Sequence, residues 1–291
     1  MLYGDMMKNL IYSIYIENNE PNLSEKHQFT KTQLAKHFQK LIDVKKEYAK
    51  HCNAEYRLYE NDTYWQKFKK KFNGYQFDII NLYKIHLWEE LGKTYDNVLY
   101  FDFDVVPNTT ESFFEKFDMN KICVHAVNAT KENIWTKSQL KNYKKKIHSF
   151  ENIMKRLDCY NMYVKAIAKK SMLALDNNFN TDYLIANTAI LGGNSNAITQ
   201  LKYTEKLDEL LNILNEAKKE KFFGEEISKQ FFPNNEVFFH YLLDKYNIDW
   251  YNLPKEWHTY LMSKNKITKD IKNSKMIHLI NKRFEELWEV L

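Results

Sequence analysis

The segment Val98–Val106 (VLYFDFDVV) limits the possible folds more than any other part of the sequence. All of its residues except two are apolar or aromatic, as in a strand buried on both faces, and Pro107 ends the run. The exceptions, Asp102 and Asp104, are two residues apart and would point to the same face of one strand. Two ionised carboxylates are costly in a buried position, so the pattern predicts a compensating cation, and oxygen ligands favour Mg²⁺ or Mn²⁺.

The apolar residues elsewhere alternate between the strand period and the helix period. The predicted strands are Leu10–Ile16, Tyr56–Tyr59, Ile122–Val127, Thr188–Leu191 and Met276–Ile280, and the predicted helices are Thr32–Lys50, Phe77–Leu91, Leu201–Leu214 and one after Asn234–Asn235. The lysine-rich segment 138–176 is predicted to be helical or irregular. The alternation predicts an α/β fold with a mixed, mostly parallel sheet flanked by helices and a C-terminal helical elaboration. Open sheets of this kind bind ligands at the carboxyl ends of their strands, where the aspartates lie.

Charge and composition exclude several protein classes. Lys plus Arg number 43 and Asp plus Glu 38, and the resulting net charge of +5 is too small for a protein that coats polyanions. The cysteines Cys52, Cys123 and Cys159 lie far apart without a CxxC pair, which argues against a disulfide framework or a zinc ribbon. We also find no signal peptide and no apolar run of the roughly 20 residues that cross a bilayer, so we expect a cytoplasmic protein without a transmembrane segment.

Five segments resemble a known family. Tyr83-Lys84 and the segment Tyr95–Val106 resemble the core of nucleotide-sugar glycosyltransferases with the GT-A fold and a DxD motif, most closely the glycogenin and lipopolysaccharide galactosyltransferase group. Asn187–Leu191, Asn234–Phe239 and Ile277–Lys282 resemble later segments of that group and follow in the same order.

The resemblance covers roughly residues 9–127 and 184–285 and implies one catalytic domain over 1–291. About 1–127 would bind the nucleotide sugar, 128–183 would be a helical insertion, and 184–291 would carry the acceptor side and the C-terminal metal and diphosphate motif. The implied reaction moves a sugar from a nucleotide-sugar donor, a UDP-sugar, to a hydroxyl acceptor with retention of configuration. The implied cofactor is Mn²⁺ or Mg²⁺.

The resemblance also implies ligands for the metal and the diphosphate. Asp104 would bind the metal directly, Asp102 would share the metal or hold the ribose, and His278 would be the second-site ligand. Lys282 would neutralise the diphosphate. Lys84 stands where the group usually carries an arginine that reaches the sugar and phosphates, and a lysine keeps the charge without the bidentate fork.

Four further residues receive roles in the same way. Ile14 and Tyr15, on the first strand, would receive the base. Asn187 would belong to the segment behind the sugar and acceptor pocket. Glu236 matches a position that often carries glutamine beside the sugar, and a glutamate there would act as a nucleophile or stabilise the transition state.

The C-terminal motif departs from the family pattern. Asn281 stands where the group usually has a glycine, Lys282 follows sooner than usual, and Arg283-Phe284 replaces the usual Pro-Trp. Considered alone, His278 fits a hydrogen-bonded core histidine equally well, and Glu236 fits a first-turn glutamate that complements the helix dipole.

Two other functions fit parts of the sequence. Asp102-x-Asp104-x-Val106 matches the haloacid-dehalogenase phosphatase pattern, in which the first aspartate is the nucleophile, although no downstream acidic pair follows. Lys69–Lys71 and Lys144–Lys146, interleaved with aromatic residues, are compatible with nucleic-acid binding. The nearly balanced charge argues against nucleic acid as a partner.

Overall fold

In a computed structural model of the protein, the chain forms two compact units. The structure describes residues 7–17, 23–72, 76–129, 150–180, 182–219, 234–261 and 271–291. Unit 1 comprises Met1–His125, Ala189–Gln200 and Trp250–Leu291, and unit 2 comprises Ala126–Thr188 and Leu201–Asp249. Within the described ranges, no helix combines the length and the apolar character that a membrane span requires.

Within the described residues, the main sheet has six strands. In sheet order they are β2 (Glu55–Tyr59), β1 (Asn9–Ile14), β3 (Asn97–Phe101), β6 (Leu184–Asn194), β5 (Ile122–Asn128) and β7 (Trp250–Asn252). The pairs β1–β2, β1–β3 and β5–β7 are parallel, and β3–β6 is antiparallel. The predicted fold class, a mixed and mostly parallel sheet flanked by helices, is confirmed.

A second, smaller sheet lies in unit 1. Its order is β4 (Val105–Pro107), β9 (Met276–Leu279) and β8 (Thr259–Leu261). The central strand β9 pairs antiparallel with β4 and parallel with β8. This sheet joins the chain just after the DxD segment to the C-terminal segment, so two regions that are remote in sequence meet here.

The helices flank these strands. Those of unit 1 are Glu25–Lys36, Phe38–His51, Thr63–Lys69, Gln76–Gly92, Phe113–Lys116, Ser195–Thr199 and Phe284–Trp288, with 3-10 turns at Lys255–Trp257 and Ile271–Asn273. Those of unit 2 are Phe150–Leu175, Tyr203–Lys219 and Asn235–Lys245. Residues 138–149 of the lysine-rich segment, including Lys144–Lys146, lie outside the described residues.

The predicted helix Thr32–Lys50 is two helices. The first begins after Ser24, whose hydroxyl accepts a hydrogen bond from the backbone N–H of His27. The backbone leaves the helical conformation at His37, with φ −105° and ψ 10°, and a second helix starts at Phe38. Apolar periodicity continues across this break, which explains why the pattern alone predicts one continuous helix.

Unit 1 has a tightly packed core around β3 and β6. Both strands are almost entirely buried, and Gly192 of β6 faces the ring of Phe113. A Cβ atom at position 192 would lie 2.4 Å from Cε1 of Phe113, well inside van der Waals contact. The absence of a side chain at Gly192 therefore lets the aromatic ring pack directly against the strand.

Unit 2 contains ion pairs that involve its helices Phe150–Leu175 and Asn235–Lys245. Lys165 pairs with Glu236. The fully buried Lys169 binds Asp182 at 2.8 Å and Asp244 at 2.7 Å. A buried ammonium ion requires such partners, because removing one of them leaves an uncompensated charge.

Candidate active site

The two aspartates lie in a turn between the two sheets, and the prediction of one continuous strand over Val98–Val106 is wrong. β3 ends at Phe101, and β4 starts at Val105. The backbone N–H of Asp102 still donates to the carbonyl of Ala189, at 2.8 Å, while that of Val105 donates to the carbonyl of Asp102, at 2.9 Å. The chain thus leaves the first sheet at Asp102, turns, and joins the second.

The turn, together with β9, brings the aspartates close to a histidine. His278 of β9 is the register partner of Val105, and the backbone N–H of Leu279 donates to the carbonyl of Asp104 at 3.2 Å. Nε2 of His278 lies 3.4 Å from Oδ2 of Asp104. One ligand atom each from Asp102, Asp104 and His278 can be chosen so that all lie within 4.8 Å of one another.

Two carboxylates and one imidazole form a donor set that fits a divalent cation such as Mg²⁺ or Mn²⁺. The structure therefore brings together all three residues that the sequence analysis assigns to the metal. Within the described residues, no second group of three or more His, Cys, Asp or Glu side chains meets the same distance criterion.

Each aspartate has its own lysine. Nζ of Lys84 lies 3.2 Å from Oδ1 of Asp102. Lys282, which has a left-handed φ of 56°, pairs with Oδ2 of Asp104 and donates to the carbonyl of Leu279 at 3.3 Å. Two lysine side chains from other elements thus face the two carboxylates of the turn.

The carboxylate of Asp104 is held in its ionised form. Burial raises its pKa, but the charges of Lys282 and His278 and their hydrogen bonds outweigh burial, so the pKa lies well below its usual value. Asp102, whose side chain is 27% exposed, accepts a hydrogen bond from the hydroxyl of Tyr100 at 2.5 Å. Burial, and then the charge of Asp102, raise the pKa of Tyr100 well above its usual value, so the phenol remains a donor.

Lys45 was not identified from the sequence as part of the site. It is fully buried on the helix Phe38–His51, and its Nζ donates to the carbonyl of Phe103 at 2.9 Å, between the two aspartates. Burial lowers its pKa to about 7, although the charges of Asp104 and Asp102 act in the opposite direction. The sequence carried one signal for it, since Lys45 interrupts the buried face that includes Leu41.

His258 was also missed. It is fully buried, and its Nε2 lies 3.2 Å from Nδ1 of His278. Burial, and next the neighbouring His278 and His125, lower the pKa of His258 well below its usual value, so the ring is neutral. The sequence gives no signal for His258, because no motif surrounds it and its partner, His278, lies on β9.

The residues predicted to receive the base lie at the end of β1. Ile14 is buried, with 6% of its surface exposed, so its side chain belongs to the core. Tyr15 is half-buried, and its ring lies 4.9 Å from the ring of Phe103 and 5.0 Å from that of Phe38. Tyr15 therefore packs against the turn that carries the aspartates.

The predicted catalytic residues Glu236 and Asn187 belong to unit 2, whereas Asp102, Asp104 and His278 belong to unit 1. Oδ1 of Asn234 accepts from the backbone N–H groups of Glu236 and Val237, so Asn234 caps this helix. Glu236 is the first-turn acid, and its carboxylate pairs with Lys165. Asn187 lies on β6 and is half-buried.

No protein-family model matches the sequence, and the comparison with curated proteins gives no match. The structure, in contrast, is similar to solved structures. One is a glycosyltransferase involved in glycosylation of the major capsid of PBCV-1, which is 11% identical in sequence and has a TM-score of 0.44. The match covers 97% of this chain and 99% of that glycosyltransferase. Mouse xyloside xylosyltransferase 1 is 10% identical with a TM-score of 0.43, covering 94% and 98%.

A third similar structure is the bifunctional glycosyltransferase WbbM, 12% identical with a TM-score of 0.46, where the match covers 94% of this chain and 46% of WbbM. All three are glycosyltransferases, the class that the sequence resemblance implies. At 10–12% identity and TM-scores below 0.5, these likenesses assign no activity, which has to come from the residues of the site.

Proposed function

We propose that this protein is a divalent-cation-dependent glycosyltransferase that moves a sugar from a UDP-sugar to a hydroxyl group of an acceptor. The observation that carries the proposal is the convergence of Asp102, Asp104 and His278, with one ligand atom of each within 4.8 Å of the others. This donor set suits Mn²⁺ or Mg²⁺. The resemblance of Tyr95–Val106 to the DxD region supports the donor class.

When bound at these three residues, the cation would neutralise the diphosphate leaving group, where negative charge develops as the glycosidic bond breaks. The protein's own cations would share this task. Lys84 and Lys282 are paired with Asp102 and Asp104 and would be available for phosphate oxygens if the carboxylates held the cation. In this proposal, the pairing of each carboxylate with a lysine favours binding of the cation and the diphosphate together.

The remaining roles follow the resemblance. Tyr15, in contact with the Phe103 ring, would flank the base at the end of β1, next to the buried Ile14. Asn187 and Glu236 would lie beside the sugar, and transfer would proceed with retention. The ion pair with Lys165 would orient the carboxylate of Glu236. We further propose that residues 1–291 act as one catalytic chain.

Calorimetric titration of UDP in the presence and absence of Mn²⁺ tests the proposal. We expect UDP binding that depends on Mn²⁺ in the wild type. In Asp104→Asn, which keeps the shape and removes the charge, we expect UDP affinity in the presence of Mn²⁺ to fall at least about tenfold, ~1.4 kcal/mol. Asp43→Asn, an exposed position on the helix Phe38–His51, is the matched control and should bind like the wild type. UDP binding that ignores Mn²⁺, or an unchanged Asp104→Asn variant, would contradict the proposal.

A second assay separates the proposal from the phosphatase alternative, which uses Asp102 as a nucleophile. We expect slow hydrolysis of one member of a panel of nucleotide sugars and no release of phosphate from a generic phosphate ester. The opposite result would favour the phosphatase. The panel also identifies the donor sugar.

A further inference from the structure

Lys282, which the proposed function assigns to the diphosphate, has an unfavourable backbone conformation. Its φ of 56° lies in the left-handed region, which costs free energy for a residue with a Cβ atom. Such conformations persist only where the surrounding structure holds them, and they cluster at ligand-binding sites. The contacts that hold the backbone of Lys282 therefore bear on how its side chain is placed.

A glutamine from a remote helix makes one of these contacts. Gln33 lies on the helix Glu25–Lys36. Its side-chain amide faces two acceptors, the carbonyl oxygen of Lys282 and Oε2 of Glu285. Only the orientation in which Nε2 faces them satisfies both atoms, and Nε2 then donates at 3.1 and 2.9 Å, respectively. Gln33 thus links the peptide that follows Lys282 to the first turn of the helix Phe284–Trp288.

Glu285 is itself fixed by the end of the helix that carries Gln33. Its Oε1 accepts a hydrogen bond from Nζ of Lys36 at 2.6 Å and lies 3.3 Å from Nε2 of His37. The hydrogen bond from Lys36, followed by one from its own backbone N–H, lowers the pKa of Glu285 to about 2. The carboxylate is therefore ionised and a strong acceptor for the amide of Gln33.

The helix Glu25–Lys36 contributes little to the core. None of its residues is buried, whereas the following helix, Phe38–His51, has five buried residues. Burial of apolar surface thus gives this helix little reason to pack here, and its polar contacts with the C-terminal segment have more weight. A substitution at Gln33 should accordingly leave the fold intact.

We propose that Gln33 is a positioning residue that holds Lys282 where its ammonium group can bind the diphosphate; this inference rests on the proposed function. Nζ of Lys282 pairs with Asp104 in the structure. Without the hydrogen bond from Gln33, the strained peptide can turn and carry the ammonium group away from Asp104. Part of the binding free energy of the diphosphate is then used to restore this position, so affinity falls.

Calorimetric titration of UDP in the presence of Mn²⁺ tests the inference. Gln33→Met keeps the length of the side chain, removes the donor and should bind UDP about 3–10-fold more weakly than the wild type. Gln28→Met is the matched control, because it removes an amide on the same helix that donates to the carbonyl of Leu23 at 2.9 Å. This control should bind UDP like the wild type. Gln33→Ala repeats the test with a small residue that favours helix formation.

A double-mutant cycle with Lys282→Met separates positioning from a purely structural role. If Gln33 acts through the ammonium group, Gln33→Met should cause no further loss of UDP affinity in the Lys282→Met background. Uridine, which lacks the diphosphate, should bind the wild type and Gln33→Met equally in an NMR titration. Equal UDP affinities of the wild type and the Gln33 variants, an undiminished loss in the Lys282→Met background, or a matching loss for uridine would overturn the inference.

Failure of the proposed function gives a different result. A wild type whose UDP binding does not depend on Mn²⁺ would reject the proposed function, and this inference with it. A wild type with Mn²⁺-dependent UDP binding, together with unaffected Gln33 variants, would reject only the role of Gln33.

Discussion

Replacing Lys45 by methionine should change how the stability of the protein depends on pH. Burial lowers the pKa of Lys45 from 10.5 to about 7. Between these two values the unfolded chain binds a proton that the folded chain does not, so the free energy of unfolding rises with pH through this window. Below pH 7 the free energy of unfolding is reduced by the full cost of burying the charged Lys45 ammonium in the folded protein.

The magnitude follows from the two pKa values. The slope approaches ~1.4 kcal/mol per pH unit in the middle of the window and is about half of that at pH 7, where half of the folded molecules already carry the proton. Integrating this slope from pH 7 to pH 9 gives an increase of about 2 kcal/mol in the free energy of unfolding. The Lys45→Met variant has no ammonium group at this position. Its free energy of unfolding should therefore not show this increase between pH 7 and pH 9.

Urea unfolding at pH 7, 8 and 9 measures the effect as the difference between the wild type and Lys45→Met. Lys46→Met, the exposed neighbour on the same helix, controls for the loss of one positive charge and should follow the wild type. If the free energies of unfolding of the wild type and Lys45→Met changed in parallel with pH, the reasoning would be refuted, because Lys45 would then keep its proton on folding.

Three further predictions concern other parts of the chain. Glu236→Gln should lower turnover with donor affinity kept, as measured by kcat and KM for the donor; unchanged turnover would leave Glu236 as a first-turn charge paired with Lys165. NMR of the first-formed product should show the anomeric configuration of the donor, and an inverted anomer would reject retention. Gly192→Ala should destabilise the protein by about 1–3 kcal/mol in urea unfolding, because its Cβ would lie 2.4 Å from Phe113. Gly193→Ala, whose nearest contact is 3.2 Å, should cost less, and equal losses would contradict this packing argument.

The local pattern of the sequence was sufficient for much of the fold. Strands and helices follow from apolar periods of two and of about 3.6 residues, and these periods depend only on neighbouring residues. The strand before the aspartates, the helix Gln76–Gly92 and the strand around His278 were recognisable in this way. Family resemblance then singled out Asp102, Asp104 and His278, which the structure brings together.

The same local pattern predicted one continuous strand over Val98–Val106 and missed the break at the aspartates. Its apolar residues continue on both sides of the aspartates, but Phe101 pairs with β6 and Val105 pairs with β9. A change of partner strand leaves no trace in a periodicity, because the partners come from other parts of the chain. Only the tertiary structure shows that the carboxylates occupy a turn.

The sequence by itself determined the class of fold and the aspartate pair, since both depend on residue type and short spacing, whereas His278 was implied by the family resemblance. The tertiary structure decided the partners: Lys282 pairs with Asp104 across 178 positions, Lys45 reaches Phe103 across 58, and His258 meets His278 across 20. Each of these contacts depends on strand pairing or helix packing between remote segments. Burial and pKa are properties of such contacts, which is why they emerge only when the chain is folded.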